Sequence, residues 1–487
     1  MTIKTSEFTR HVESWVETES RKDSRKTRSP GPSGLQRQMR SFYLIPHRKK
    51  AQGFIGVILT LFLLYPYSSV YADFRDFLSK FHPYITLQED YTDNLFLTHT
   101  NTQDDWITTV SPGLTFSTTT ENSGIDLSYL LGLVFYAKHS EDNYVSHTGT
   151  LNTWYDFAPR FTFRLRDVFV RSEESQERDY TLGAPPNQNL LGIQNTRSVY
   201  TRNVLEPSLK YQFGREDRFD LLYRNNIYRN ENPLYENSEE NFINPRLTYW
   251  FNLQNGIILE YAFTLADFES SPDFQGHMAR ARYNYRFNPR TTIFGEFIFR
   301  RYDFDPPGID YNVYNPSIGM DHAFSPTVSG TAQLGYFWLN REQGGAGSGL
   351  SCNVSLTKLA DRTTYSIALQ GGYGEDYFTA ENLGGTQYYR AIGSFSHRLR
   401  ERITLGMDGT VQRTEVLGSN RDDWFWRVGG RVFYQLFQWL TLSVETYHMD
   451  NNSNINDLSY TENRGILRIT AGQVSGASGW TMPSALR

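Results

Sequence analysis

Between about residue 84 and residue 471, apolar and polar side chains exchange places at nearly every step, in segments separated by turn-forming residues. Leu127, Tyr129, Leu131, Leu133 and Phe135 fall on one side of an extended chain, with Asp126, Ser128 and Gly132 on the other. Phe161, Phe163 and Leu165 alternate with Arg160, Thr162, Arg164 and Arg166. Ala281, Tyr283, Tyr285 and Phe287 alternate with Arg280, Arg282, Asn284 and Arg286, and Trp426, Val428, Val432 and Tyr434 with Arg427 and Arg431. A helix advances 100° per residue and would scatter these sets around its axis, whereas a strand sorts them onto two faces.

The connections add an independent signal, because short and long ones take turns along the chain. Glu121–Gly124, Gly214–Asp217, Leu253–Gly256, Asn288–Arg290, Phe324–Pro326, Ala360–Arg362 and Arg400–Arg402 have the composition of tight hairpins. Longer polar stretches lie between them, such as Ser172–Asn195, Asn230–Glu240, Glu375–Gln387 and Asn451–Ser459. Alternating two-faced strands with alternating loop lengths predict an all-β protein, a transmembrane antiparallel up-and-down β-barrel of about 18–20 strands with short periplasmic turns and long extracellular loops. An even strand number places both ends on the turn side. A solenoid or propeller explains the alternation of faces but not that of loop lengths.

Ser111-Pro112-Gly113-Leu114 recurs as Glu206-Pro207-Ser208-Leu209, Asn244-Pro245-Arg246-Leu247 and Asn315-Pro316-Ser317-Ile318. Proline cannot donate a ladder hydrogen bond, so each motif is expected at the start of a strand descending from a long loop, or at a bulge.

Ahead of the alternating region, the apolar run Gly53–Tyr67 follows Arg48, Lys49 and Lys50 and precedes Ser69-Val70-Tyr71-Ala72. A basic flank, a short apolar core and a small-residue site describe a secretory signal cut after Ala72. A membrane helix needs about 20 apolar residues, and Pro66 closes this run early. The expected organisation is a leading extension or disordered segment over 1–38, a signal peptide over 39–72, a periplasmic segment over 73–81, the barrel over 82–471 and a tail over 472–487. The tail ends without the terminal aromatic residue usual in such barrels, so either it is an appended end or an internal strand carries assembly recognition.

Charge sharpens this picture. The first 72 residues hold 12 of the 48 Lys+Arg and 5 of the 53 Asp+Glu, so the remainder has 36 basic and 48 acidic residues, a net of −12. An acidic mature chain argues against nucleic acid as a partner. A single cysteine, Cys352, excludes an internal disulfide.

No catalytic constellation emerges. Asp104-Asp105, Glu239-Glu240 and Asp422-Asp423 are adjacent carboxylates whose side chains diverge on extended backbone. The ten histidines show no metal-binding spacing, and Gly344–Gly349 lacks the Lys-Ser/Thr of a phosphate loop. No catalytic role, metal or cofactor is therefore expected. The chemistry expected to matter is on the polar face. Arg164, Arg166, Arg224, Arg280, Arg282, Arg286, Arg427 and Arg431, with Glu260, Glu296 and Glu445, are candidate lumen-lining residues, since Arg facing lipid at the midplane costs about 2–4 kcal/mol. They either pair across strands to hold a polar interior or form a basic wall that eases the passage of anions. Tyr129, Tyr283, Tyr285, Trp250, Phe251, Trp424, Trp426 and Trp439 are expected mostly as lipid contacts and interfacial girdles.

Pro83-Tyr84-Ile85-Thr86-Leu87 leads into Tyr91-Thr92-Asp93-Asn94-Leu95-Phe96-Leu97, and this opening resembles that of a family of porin-type outer-membrane β-barrels found beside exopolysaccharide and PEP-CTERM sorting genes. The Ser-Pro-Gly-Leu and Asn-Pro-x-Leu-x-Tyr segments extend the resemblance over about 82–471. It implies a bacterial outer-membrane location and a tie to polysaccharide secretion inherited from gene neighbourhood. The expected function is a channel or export portal. A non-conducting structural or assembly barrel that binds partner proteins is the alternative, and an outer-membrane hydrolase the third reading. Expected partners are outer-membrane lipid and lipopolysaccharide, the barrel assembly machinery, and exopolysaccharide or its export machinery.

Overall fold

The computed structural model describes residues 79–173, 198–342, 346–378 and 382–472. The expected signal peptide with its cut after Ala72, the 1–38 segment and residues 473–487 lie outside them. Twenty strands follow one another: β1 (Phe81–Thr92), β2 (Asp105–Thr119), β3 (Ser123–Tyr136), β4 (Tyr144–Ala158), β5 (Phe161–Ser172), β6 (Tyr200–Gln212), β7 (Arg218–Asn230), β8 (Ser238–Trp250), β9 (Asn255–Phe268) and β10 (Phe274–Asn288). The second half comprises β11 (Thr291–Phe304), β12 (Tyr311–Ser325), β13 (Val328–Arg341), β14 (Gly347–Leu359), β15 (Thr363–Asp376), β16 (Gly384–Arg400), β17 (Ile403–Val416), β18 (Asp422–Phe437), β19 (Leu440–Ser453) and β20 (Tyr460–Gly472).

Each strand pairs antiparallel with its chain neighbours, and β1 pairs with β20 from Tyr84↔Gly472 to Thr92↔Arg464, so the sheet closes on itself. Twenty strands spaced about 4.8 Å apart and tilted about 40° make a cylinder about 40 Å across. Connections of two to five residues alternate with ones of five residues or more, and β1 begins and β20 ends on the short-turn side. Five turns have only two residues, and each follows a register shift at the end of the preceding strand, at Asp156/Ala158, Arg286/Asn288, Ala323/Ser325, Arg398/Arg400 and Gln435/Phe437. Pro159, Pro289 and Pro326 open three of these turns, where a fixed φ near −65° favours the first turn position.

The outward rows carry Ile85, Leu87, Leu127, Leu259, Leu334, Leu356, Ile367 and Val428, all exposed. Aromatic rings gather where this band meets the short turns. Tyr155, Phe157, Phe161, Tyr211, Phe213, Tyr249 and Phe251 form a continuous chain of ring contacts with centroids 4.7–6.5 Å apart, as suits rings that favour the headgroup level.

The four proline motifs do lie on strands descending from long loops, but in mid-strand rather than at the start. The ladder to the following strand skips two residues at each: after Val110, Leu205, Ile243 and Tyr314 it resumes at Gly113, Ser208, Arg246 and Ser317. The ladder on the other side is unbroken, with Pro112↔Ile85, Pro207↔Leu165, Pro245↔Leu221 and Pro316↔Phe297. A missing N–H thus removes bonds on one side only. At Pro245 the vacant acceptor is compensated, because the Asn244 amide donates to the Tyr261 carbonyl at 3.0 Å.

The closing seam is fastened from within. Thr86 meets Thr470 at 3.0 Å, Arg468 donates to Gln88 at 2.7 Å, Arg464 to Asp90 at 2.5 Å and Thr92 to Glu462 at 2.7 Å. Outside, Asp93 accepts from the Asn463 backbone and side chain at 2.7 and 2.6 Å. Removing one member of a buried ion pair costs about 3–5 kcal/mol because the other charge stays buried, so Asp90→Ala is expected to lower the urea unfolding midpoint and increase the unfolded band in unheated gel electrophoresis. Asp90→Ala with Arg464→Met should recover part of the loss. Equal midpoints for Asp90→Ala and the parent would show that the seam does not depend on this pair.

Candidate functional site

Strand pairing fixes which side chains share the barrel interior. Even-numbered residues of β5–β11 face inward, and odd-numbered ones of β18 and β19 do. All eleven lumen candidates named from the sequence lie on these inward rows. Most are held by carboxylates on neighbouring strands. Arg166 bonds Glu206 at 2.8 Å, and Arg224 grips Glu240 through two donors at 2.6 and 3.0 Å. Arg280 sits between Glu260 at 3.2 Å and Glu296 at 2.6 Å. Arg282 reaches Asp321 at 2.6 Å while its guanidinium lies 3.4 Å from the centre of the Phe294 ring. Arg427 and Arg431 share Asp408 at 3.4 and 3.3 Å, and Arg427 also faces Glu445 at 3.6 Å. Arg286 pairs with Glu216 on the β6–β7 turn and holds that carboxyl below the usual carboxylate range. Arg164 has no ion pair among the described residues.

The aromatic expectation needs one correction. Tyr129, Tyr283, Tyr285, Trp424 and Trp426 lie on outward rows, and Phe251 and Trp439 are exposed at short turns. Trp250 instead faces the interior, with the Arg286 guanidinium 3.6 Å from its ring centre. The period-2 pattern put Trp250 in the same row as Arg246 and Thr248, a signal that its residue type obscured.

The charge on the interior wall is uneven. The inward rows of β5–β11 carry eleven Lys and Arg against five Asp and Glu, so this sector remains cationic after every carboxylate is neutralised. Lys210, Arg218, Arg246 and Arg300 add to this cationic count and were not among the sequence candidates. The inward rows of β12–β16 are mainly neutral, with Asn315, Ser317, Gln333, Ser351, Asn353 and Gln370.

On the long-loop side the interior is narrowed by four buried apolar clusters. The segment Asn94–Leu97 folds inward: Asn94 donates to the carbonyls of Thr98 and Thr461 at 2.8 and 2.9 Å, Leu95 enters the cluster of Ile107, Val134 and Tyr136, and Leu97 that of Phe425, Tyr447 and Met449. The second intrusion is the end of the β15–β16 hairpin. The β14–β15 ladder stops at Cys352↔Gly371, whereas β15–β16 pairing continues to Asp376↔Gly384. At the break Gly372 has φ +140°, a conformation that favours glycine. Beyond it Tyr377 packs 4.7 Å from Phe274 and Phe378 5.8 Å from Phe268, while the Tyr311 hydroxyl bonds those of Tyr373 and Tyr377. β9 and β10 are five or six strands away around the wall, so the hairpin end meets them through the interior. Arg300 pairs with Glu375 at 3.0 Å beneath it.

For the hydrolase reading, five strand histidines meet a hydroxyl or an amide, and none of the five bonds a carboxylate among the described residues. His147, His277, His322, His397 and His448 bond Tyr129, Tyr261, Thr291, Thr363 and Asn463 respectively. No cluster of three metal-ligating side chains exists among the described residues.

The inward lean of the hairpin predicts proximity that a wall-bound strand lacks. With Cys352→Ser removing the native thiol, Phe274→Cys with Tyr377→Cys is expected to be joined by a short thiol cross-linker, detected as a faster-migrating unfolded band. Phe274→Cys with Tyr365→Cys, on the turn side of β15, should remain unjoined. Equal yields from both pairs would place the hairpin end in the wall.

Residues 269–473 match the family model described as "Putative beta-barrel porin 2". No curated protein matches the chain. Among solved structures, the siderophore receptor PirA from Pseudomonas aeruginosa aligns with TM-score 0.46 at 10% identity, over 81% of this chain and 80% of its own. OpdK, an outer membrane protein of the same organism, aligns with TM-score 0.42 at 12% identity, over 81% of this chain and 100% of its own, and OprD with 0.37 at 11%, over 81% and 95%. The closed sheet of alternating strands, its apolar exterior and ring girdle, and the family match over β10–β20 together make this protein a porin-like β-barrel of the bacterial outer membrane.

Proposed function

We propose that the barrel is a passage for hydrophilic solutes that carry negative charge, and that in the cell it serves as a portal in extracellular polysaccharide secretion. The observation that carries the first part is the cationic excess on the inward rows of β5–β11. Fixed guanidinium groups with their counter-charges already consumed lower the electrostatic barrier for anions, as rings of Arg do in anion pores. The second part draws support from the Tyr91–Leu97 opening and its resemblance to barrels encoded beside exopolysaccharide genes; an acidic polysaccharide is a solute such a wall would favour. Lipopolysaccharide, the assembly machinery and export components are the partners this reading requires.

A non-conducting structural barrel is the second reading. The apolar clusters at the loop-side mouth and the inward β15–β16 hairpin favour it by narrowing the opening. Single-channel recording separates the two, since a structural barrel gives no steps.

Charge selectivity is best tested where no carboxylate would be orphaned. Reversing Arg280 or Arg282 places a new acid beside Glu260, Glu296 or Asp321, whereas Arg164 has no such partner. Arg164→Glu is therefore expected to move the reversal potential in a salt gradient towards cations, by about twofold in permeability ratio. An unchanged reversal potential would discard the anion preference.

A further inference from the structure

We infer that the interior wall near the β6–β7 and β8–β9 turns holds an oxyanion-binding site, centred on Lys210, Arg218, Arg246 and Thr248, that takes the phosphate or carboxylate group of a solute at the turn-side mouth. This deepens the anion-passage reading and rests on it for its role, though not for its chemistry. Lys210, Arg218, Thr248 and Trp250 line a cavity of about 330 Å³ together with Arg215 and Glu216.

The cavity is built for a missing acceptor. Thr248 is nine-tenths buried, and its hydroxyl has no hydrogen-bond partner among the described residues. One inward step along β8, the Arg246 Nε is likewise buried and unpartnered. A buried donor left unsatisfied costs about 1–3 kcal/mol, and two side by side mark a place where an external acceptor repays that cost.

Nearby carboxylates do not fill the role, since each is committed elsewhere. Asp220, opposite Arg246 on the β7–β8 ladder, bonds Arg218 at 2.9 Å. Glu260, opposite Arg246 on the other side, bonds Arg280 at 3.2 Å and accepts from Asn244 at 3.2 Å. Glu216 is held by Arg286, and Asp217 accepts the Trp250 backbone N–H at 2.8 Å. Lys210, Arg215 and Arg246 therefore have no ion pair among the described residues, and Arg218 stands directly opposite Thr248. An oxyanion supplies several acceptor lone pairs to one hydroxyl and a set of cationic donors, the combination that yields short charge-assisted bonds.

Equilibrium dialysis of the detergent-solubilised full-length barrel against radiolabelled inorganic phosphate at low ionic strength tests the site. Saturable binding of one phosphate per barrel is expected, weakened at least tenfold by Lys210→Gln with Arg246→Gln and about threefold by Thr248→Val, a near-isosteric change that removes only the hydroxyl. Unheated gel migration checks that each variant is folded. Displacement by glucuronate would show that a carboxylate-bearing solute is accepted, and failure to displace would restrict the site to phosphate groups. Unsaturable binding, or an affinity unchanged in both variants, overturns the inference. No current flows in this measurement, so saturable phosphate binding by a barrel that shows no conductance steps would retain the site while removing the passage reading.

Discussion

Backbone amides cannot be left unpaired in hydrocarbon, where each costs several kcal/mol, and in this protein that requirement is met by joining the first strand to the last. Nine residue pairs between β1 and β20 complete the ring. The inward ladder of Thr86–Thr470, Gln88–Arg468, Asp90–Arg464 and Thr92–Glu462 then adds side-chain bonds at the pairing of greatest sequence separation. Closing so long a loop is entropically the most demanding of the twenty contacts between strands. Charged and amide side chains, rather than apolar ones, reinforce it because the interior row is the face available to them.

Once closed, the ring dictates what each face can hold. Outward positions take aliphatic residues in the middle and aromatic rings near the turns. Inward positions take charge, and the charges are arranged in cross-strand pairs because an isolated ion in a partly desolvated interior is unfavourable. The excess of cations on β5–β11 is the departure from that balance. It concentrates where carboxylates are already taken, and so gives the wall a net field rather than a set of local pairs.

The departures from regular geometry have local causes in proline and glycine. Ladder gaps at Pro112, Pro207, Pro245 and Pro316 recur on strands descending from the long-loop side, with Ser111, Glu206, Asn244 and Asn315 on the inward rows beside them. At Gly372 the wall releases one hairpin end to the interior. The tyrosine hydroxyls gathered there satisfy one another, which lets polar tips sit within an apolar cluster.

The barrel was legible in the sequence because period-2 alternation and loop-length alternation are local properties: the rows of Tyr283 and Arg282, or of Val428 and Arg427, are set by parity alone. Parity likewise assigned all eleven lumen candidates to the inward face. It could not assign Arg282 to Asp321, leave Arg164 without an ion pair among the described residues, or turn Trp250 towards Arg286, because those depend on register between strands and on which neighbour reaches first. Nor could it find the unpartnered hydroxyl of Thr248 or the hairpin end at Tyr377, which exist only relative to residues far along the chain. The sequence by itself determined two faces, their order and the side on which the chain turns. Tertiary structure alone decided which charges cancel, which remain, and how wide the mouth stands, since ring closure brings distant strands to one interior and makes their side chains compete for the same partners.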